Sequence, residues 1–214
     1  MTRAAIHSFS IATRIHGRVL VRDAAHPVAV VAGFHGYMEN ADIQMARLEA
    51  LPDAERMTLV SVQGLHRFYR GRGDEVVASW MTRQDREAMI ADNIEYTDRA
   101  FDSAAPEEIP LFTLGFSQGV AMAFRAALRG RRRAAGVIAV GGDVPPELLE
   151  DATLAFPPVL LARCERDQWY PDAKLEADAR ALRARGTAVE TFAYPGGHDW
   201  TAEVAAAAAR FIGR

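Results

Sequence analysis

Short apolar runs alternate with helical segments from residue 28 to the end of the chain, and this order leaves few folds open. The first run, Val28 to Phe34 (VAVVAGF), is continuous and apolar, as expected of a strand buried on both faces of a sheet. The other predicted strands are residues 58–62, 110–115, 136–140, 158–164 and 187–194, and the predicted helices are residues 41–51, 82–101, 118–129, 173–185 and 200–211. Such a βαβ series predicts an α/β fold with an open, mostly parallel sheet of about eight strands and helices on both faces.

The chain before this series carries two more strand-like runs. Residues 8–15 and 18–21 are joined at His16-Gly17 and predict an antiparallel hairpin at the edge of the sheet. No internal repeat or long linker follows, and 214 residues are ordinary for one globular unit. We therefore expect residues 1–214 to form a single domain without a large cap domain.

Composition excludes several classes of function. Lys and Arg number 25 against 28 Asp and Glu, a balance that does not favour capture of nucleic acid or of an acidic membrane surface. The one cysteine, Cys164, excludes an internal disulfide and a multi-cysteine metal site, and the six histidines lack zinc-ligand spacing, so no metal or cofactor is expected. No run reaches the roughly 20 apolar residues of a membrane span, and the N-terminal stretch lacks a signal-peptide core. These features predict a cytoplasmic protein with a small-molecule substrate, and they leave a homodimer open.

The most informative motif is Gly115-Phe116-Ser117-Gln118-Gly119, a Gly-x-Ser-x-Gly sequence between a predicted strand and a predicted helix. A strand that turns so sharply into a helix forces the serine into a strained backbone conformation and exposes its hydroxyl above the sheet. The hydroxyl then lies at a helix N-terminus, where partial positive charge favours a developing anion. Ser117 is therefore the predicted nucleophile.

A serine hydroxyl needs a base, and the base needs an orienting carboxylate. After Ser117 the chain contains one histidine, His198, in the glycine-rich loop before the last helix. Two aspartates follow strands between these residues, and Asp167 is favoured over Asp143 because it lies in the loop just before the helix and strand that lead to His198. Weaker candidates for the acid are Asp172 and Glu165.

Acyl transfer also needs hydrogen-bond donors for the oxyanion. The predicted donors are the backbone N–H of Gln118, which follows the serine, and that of Tyr37, in the loop after the first buried strand. His35 in the same loop is expected to brace it, and Cys164 is expected to be buried and inert. The predicted pocket residues are Met38, Trp80, Phe116 and Trp169.

Taken together, the sequence resembles α/β-hydrolases of the phospholipase/carboxylesterase family, which includes acyl-protein thioesterases. The matching segments cover nearly the whole chain: Phe34-His35-Gly36 with Asn40, the motif Gly115 to Gly119, Asp167 with Tyr170-Pro171, and Gly197-His198. The resemblance implies a capless serine hydrolase of carboxylic esters or thioesters with Ser117, Asp167 and His198 as its triad. The chain departs from the family pattern at Tyr37-Met38-Glu39 and at Val120, which affects the expected substrate rather than the chemistry.

Two further interpretations stay open at this stage. The same fold hosts ligand-binding proteins without hydrolytic activity, and the same triad serves lyases and perhydrolases. The segment from Gln63 to Trp80, rich in Arg, Gly and aromatic residues, is either a wall of the site or a solvated surface excursion.

Overall fold

The computed structural model describes residues 5–214, and its centre is a seven-stranded sheet. The strands are β1 (Val19–Arg22), β2 (Ala29–Phe34), β3 (Met57–Val62), β4 (His66–Tyr69), β5 (Val76–Ser79), β6 (Leu111–Phe116), β7 (Gly136–Val140), β8 (Val159–Cys164) and β9 (Val189–Tyr194). The helices are α1 (Ala41–Glu49), α2 (Arg86–Ala104), α3 (Gln118–Arg129), α4 (Pro146–Leu149), α5 (Asp172–Ala184) and α6 (Ala202–Ile212). The sheet order is β1-β3-β2-β6-β7-β8-β9, and all pairs are parallel except β1 with β3.

Two hydrophobic clusters cover the two faces of this sheet. Along β2, Val30 and Ala32 point to the cluster shared with α2, α3 and α5, whereas Ala29 and Val31 point to the cluster shared with α1 and α6. This alternation is the two-residue period of a strand buried on both sides. The prediction of a mostly parallel sheet with helices on both faces is confirmed.

The predicted N-terminal hairpin is wrong in its first arm. Residues 8–15 form no strand, and the side chains of Phe9, Ile11 and Ile15 are exposed. The second arm exists as β1, but it pairs with β3, from Val19 opposite Val62 to Arg22 opposite Leu59. The apolar spacing of residues 8–15 has no sheet face to cover, so strand propensity alone does not form a strand there.

The antiparallel hairpin of this protein lies instead in the Arg- and Gly-rich segment, where β4 pairs with β5 from His66–Ser79 to Tyr69–Val76. Its turn is closed by the Arg70 amide, which donates to the Glu75 carbonyl at 2.9 Å. This hairpin is separate from the main sheet. The main sheet has seven strands, one fewer than the predicted series, because residues 8–15 form no strand. Within the described residues no cap domain is inserted, and no helix is both long and apolar enough to cross a membrane.

The topology determines where side chains from distant parts of the sequence meet. The chain runs from β2 outward to β3 on one side and returns to β6 on the other, so the β2–β6 boundary is the switch point of the sheet. Ligands of open α/β sheets bind outside the carboxyl ends of the strands at such a boundary. The loop after β2 and the turn after β6 therefore meet at one edge with the loops after β7, β8 and β9.

Candidate active site

Ser117 lies at the sharp turn from β6 into α3. Its backbone has φ 52° and ψ −120°, a region that residues with a side chain rarely occupy. The Ser117 amide donates to the Val140 carbonyl at 2.8 Å, which ties the turn to the end of β7. A Cβ at Gly115 would come within 2.5 Å of the Val120 backbone, and one at Gly119 within 2.0 Å of the Phe34 carbonyl oxygen. The glycines of the motif are thus required by close backbone approach.

His198 and Asp167 are hydrogen-bonded to each other. The His198 Nδ1 to Asp167 Oδ2 distance is 2.8 Å, and Asp167 is only 4 % exposed. The other oxygen of Asp167 accepts the amide N–H groups of Trp169 at 2.9 Å and Tyr170 at 3.0 Å. A carboxylate only accepts, so neutral His198 carries its proton on Nδ1 and keeps Nε2 free as a base. Within residues 5–214 the Ser117 hydroxyl has no hydrogen bond to this ring, and such bonds often tighten only when substrate binds.

The other acidic candidates lie elsewhere. Asp143 forms an ion pair with Lys174 at 3.0 Å, and Asp172 forms one with Arg163 at 2.9 Å. Glu165 is exposed at the start of the loop after β8. Of these carboxylates, Asp167 alone contacts the imidazole in the part of the chain that the structure describes.

The loop after β2 brings the Tyr37 amide to the same edge. Its neighbours are all bonded: the Gly36 amide donates to Glu39 Oε2 at 2.7 Å, the Met38 amide to the Ala78 carbonyl at 3.1 Å, and the Glu39 amide to the Gly36 carbonyl at 3.3 Å. The Tyr37 amide has no partner among the described residues. The Gln118 amide is the first of α3 and has no partner among the described residues. These two amides suit the binding of an oxyanion.

Sequence reasoning missed the ion pair that supports this loop. Arg47 of α1 makes two hydrogen bonds of 2.6 Å to the two carboxylate oxygens of Glu39, and both side chains are largely buried. Burial by itself would raise the pKa of Glu39, but the bonds from Arg47 and from the Gly36 amide hold it below its ordinary value. The Arg47 guanidinium also lies 4.0 Å from the centre of the Phe116 ring, and that ring lies 5.1 Å from the His198 ring. The Glu39–Arg47 pair is thus connected to the His198 imidazole through the Phe116 ring. These residues are far apart in the sequence, and no local motif predicts the contact.

The side chain of Gln118 connects the turn to the β4–β5 hairpin. Its Oε1 accepts the Trp80 amide at 3.1 Å, and its Nε2 donates to the Met81 carbonyl at 3.2 Å. The Ser79 hydroxyl lies within hydrogen-bond distance of both side-chain atoms of Gln118, 3.3 Å from Oε1 and 3.2 Å from Nε2. The Arg- and Gly-rich segment therefore supports the site through the end of its hairpin.

His35 braces the same loop from inside the core. Its Nδ1 lies 2.6 Å from the Gly36 carbonyl, and its Nε2 accepts the Gly64 amide at 2.9 Å. Burial lowers the pKa of His35, so the ring is neutral and donates from Nδ1. No group of three His, Cys, Asp or Glu side chains across residues 5–214 is arranged to hold a metal ion.

A cavity of about 390 Å³ opens beside Ser117 and Gln118. Of the four predicted pocket residues, only Trp169, which is 74 % exposed, lines it. Trp80 is fully buried, with its ring 5.0 Å from His35 and its Nε1 donating to the His35 carbonyl at 2.8 Å, so its prediction as a pocket wall is corrected to a core position. Phe116 is buried between Arg47 and His198, and Met38 lies in the loop after β2 with its carbonyl bonded to Arg70.

Comparisons with known proteins agree with this architecture. Esterase PE8 has 23 % sequence identity and a TM-score of 0.70, covering 92 % of this chain and 96 % of its own. Acyl-protein thioesterase 2 of Zea mays has 19 % identity and a TM-score of 0.71 over 92 % and 98 % of the two chains. TT1662 of Thermus thermophilus has 22 % identity and a TM-score of 0.71 over 94 % and 98 %. At these identities the likeness shows the fold.

The sequence comparisons identify the family. No curated protein matches the chain. The family model described as Phospholipase/Carboxylesterase matches residues 19–214, which is nearly the whole chain. The chain therefore belongs to the phospholipase/carboxylesterase family and is an α/β-hydrolase.

Proposed function

We propose that this protein hydrolyses carboxylic esters or thioesters through an acyl-enzyme on Ser117. The observation that carries the proposal is that the strained Ser117 turn lies at the same edge of the sheet as a histidine bonded to a buried carboxylate. The family description and the names of the similar structures, an esterase and an acyl-protein thioesterase, support the same chemistry.

In this mechanism the Ser117 hydroxyl attacks the substrate carbonyl while Nε2 of His198 takes its proton. The resulting oxyanion accepts hydrogen bonds from the Tyr37 and Gln118 amides. His198 then returns the proton to the departing alcohol or thiol, which leaves an acyl group on Ser117. Water repeats the sequence on the acyl-enzyme and releases the acid.

Asp167 holds the imidazole and stabilises its cation. Because Oδ1 is already bonded to two backbone amides, the carboxylate is fixed in position before the reaction. Its Oδ2 then keeps the proton of neutral His198 on Nδ1, which directs Nε2 to the reacting serine.

The test is Ser117→Ala, examined with an aryl-ester and acyl-thioester panel and with a fluorophosphonate probe. We expect labelling to vanish and kcat to fall by roughly 10⁶-fold. Asp199→Asn is the matched control, because Asp199 lies beside His198 but bonds only to the Gly197 amide through its side chain. Full turnover by a folded Ser117→Ala variant would contradict the proposal.

A further inference from the structure

Glu39, in the loop after β2, forms a largely buried ion pair with Arg47 of α1. The two side chains are 17 % and 12 % exposed, and two bonds of 2.6 Å join the guanidinium group to both carboxylate oxygens. The net contribution of such a pair to stability is small, because the cost of removing both charges from water offsets their attraction. One use of a buried ion pair is to fix one conformation of the chain around it.

The residue that this pair fixes is Gly36. The Gly36 amide donates to Glu39 Oε2 at 2.7 Å. The Gly36 carbonyl accepts the Glu39 amide at 3.3 Å and lies 2.6 Å from His35 Nδ1, which donates to it. In a trans peptide the C=O and N–H groups point in opposite directions. The Tyr37 amide, which shares its peptide group with the Gly36 carbonyl, therefore points away from these two donors.

This peptide group lies against the Ser117 turn. A Cβ at Gly36 would lie 3.3 Å from Cδ1 of Phe116, the residue before Ser117. A Cβ at Gly119, two residues after Ser117, would lie 2.6 Å from the His35 carbonyl oxygen. The loop after β2 is thus in contact with the turn on both sides of the serine. A shift of this loop would move its unbonded amide relative to a carbonyl bound at Ser117.

The loop does not keep its shape through local preference alone. The Glu39 amide and the Gly36 carbonyl close a four-residue turn in which Met38 is the third residue, with φ 59°. A positive φ at that position suits glycine, and a residue with a side chain adopts it at a cost. Contacts from outside the turn must offset this cost. One is the bond from the Met38 amide to the Ala78 carbonyl at 3.1 Å, and another is the carboxylate that Arg47 fixes against Gly36.

We propose that Glu39, fixed by Arg47, is a positioning residue for the oxyanion, because it holds Gly36 so that the Tyr37 amide faces the developing negative charge. This inference rests on the proposed function of Ser117. Glu39 neither touches the substrate nor transfers a proton in this role. A donor that is fixed before the reaction stabilises the transition state without reorganisation, so loosening it slows acylation.

The test compares two esters that differ in one atom, 4-nitrophenyl acetate and 4-nitrophenyl thionoacetate, in which sulfur replaces the carbonyl oxygen. Sulfur accepts hydrogen bonds more weakly than oxygen, so hydrolysis of the thiono ester depends less on the oxyanion donors. Release of 4-nitrophenolate measures kcat/KM for both esters, with rates corrected for spontaneous hydrolysis. The ratio of kcat/KM for the oxygen ester to that for the thiono ester then reports the donors.

The variant is Glu39→Ala/Arg47→Met, which removes the bond to Gly36 and leaves neither partner as an isolated buried charge. We expect kcat/KM for the oxygen ester to fall about 10- to 100-fold and that for the thiono ester to fall less, so the ratio falls. The matched control is Asp42→Ala/Arg18→Met. Asp42 also lies on α1 and bonds Arg18 at 2.6 and 3.0 Å, but this pair is exposed, so both rates should stay within about twofold.

Asp167→Asn separates a role at the oxyanion from a general loss of activity. The acid acts on proton transfer and not on the carbonyl oxygen, so its loss should lower both rates by a similar factor and leave the ratio unchanged. If the double variant does not fold, Arg47→Lys provides the second measurement. Lysine keeps the charge but lacks the two-pronged guanidinium group, so the ratio should fall by a smaller factor.

An unchanged ratio in the folded double variant, or in Arg47→Lys if the double variant does not fold, overturns this inference and leaves the proposed function standing. A fall of the ratio in Asp167→Asn as large as that in the double variant overturns it as well. Failure of the wild-type protein to hydrolyse either ester, together with absence of fluorophosphonate labelling at Ser117, contradicts the proposed function itself.

Discussion

The loops after β7 and β8 begin at neighbouring strand ends and each carry an aspartate, yet the two aspartates have different environments. Asp167, after β8, is buried and bonded to His198 and to two backbone amides. Asp143, after β7, is exposed and pairs with Lys174. The end of a strand brings a carboxylate to the right edge of the sheet, but burial and amide donors determine which one can orient the imidazole.

The two loops are also connected beneath the surface. Asp178 of α5 accepts the Val144 amide from the first loop at 3.1 Å and the Tyr170 hydroxyl from the second at 2.9 Å. Gly141, at the end of β7, has φ 66°, and a Cβ there would lie 3.0 Å from His198 Cε1. The glycine in the loop after β7 thus leaves room for the His198 imidazole, which is bonded to Asp167 in the loop after β8.

The largest expected effect is the loss of kcat in Asp167→Asn, which distinguishes Asp167 from Asp143. Asp167→Asn keeps the shape but removes the charge and favours the wrong tautomer of His198, so kcat for a neutral ester should fall 10³- to 10⁴-fold, or about 4 to 5 kcal/mol of transition-state stabilisation. Steady-state kinetics on a variant with unchanged circular dichroism measures this loss. Near-normal turnover would show that the buried carboxylate is not the orienting group.

A smaller effect is expected from Gly141→Ala. The new methyl group would press on His198 Cε1 and lie 3.3 Å from Asp167 Oδ2, and the imidazole must shift. A displacement of this kind should lower kcat about 10- to 100-fold. Gly71→Ala is the matched control, since Gly71 has φ 60° but a Cβ there meets nothing within 4 Å. Equal losses in the two variants would attribute the effect to backbone strain alone.

Asp143→Asn should change kcat for a neutral ester less than about threefold, because an exposed ion pair contributes roughly 0 to 1 kcal/mol. Lys174→Met, which removes the other partner, should behave in the same way on that ester. If Asp143→Asn lost activity on the scale expected for Asp167→Asn, the acid would lie in the loop after β7 and the comparison would be reversed.

The smallest effect concerns stability and its dependence on pH. Burial, with the nearby Asp143 charge, raises the pKa of Asp178 above its ordinary value of 3.8. The folded state therefore binds this proton more tightly than the unfolded state, and the contribution of Asp178 to stability falls as pH rises from 3.8 through the raised pKa. The Asn side chain of Asp178→Asn does not titrate. The free energy of unfolding of this variant should therefore rise relative to that of the wild type between pH 3 and pH 7. Urea unfolding at several pH values measures the difference.

Asp151→Asn is the control of opposite sign. Hydrogen bonds from Thr153 lower the pKa of Asp151, so this carboxylate contributes stability above its unfolded pKa and loses it as pH falls. The Asp151→Asn variant should therefore lose stability relative to the wild type as pH rises. If the free energy of unfolding changed with pH in the same way for both variants, the raised pKa of Asp178 would be contradicted.

Local chemistry determined much of this protein. The continuous apolar run of β2 and the turn at Ser117 predict a buried parallel strand and a strand-to-helix elbow, and both are present because these patterns depend on neighbours in the sequence. A sequence pattern was less informative where the structure depends on a distant partner. Residues 8–15 have the spacing of a strand but join no sheet. The β4–β5 hairpin lies in an Arg- and Gly-rich segment whose sequence did not predict strands.

The sequence by itself determined the residue types that the chemistry needs: a serine at an elbow, one histidine downstream and a short choice of acids. Only the tertiary structure decided which acid meets His198, that Glu39 and Arg47 support the loop after β2, and that Trp80 is a core residue. The physical reason is that burial and pairing of charged groups are properties of distant segments brought together, and no spacing along the chain encodes the dielectric environment or the donors that a side chain finally has.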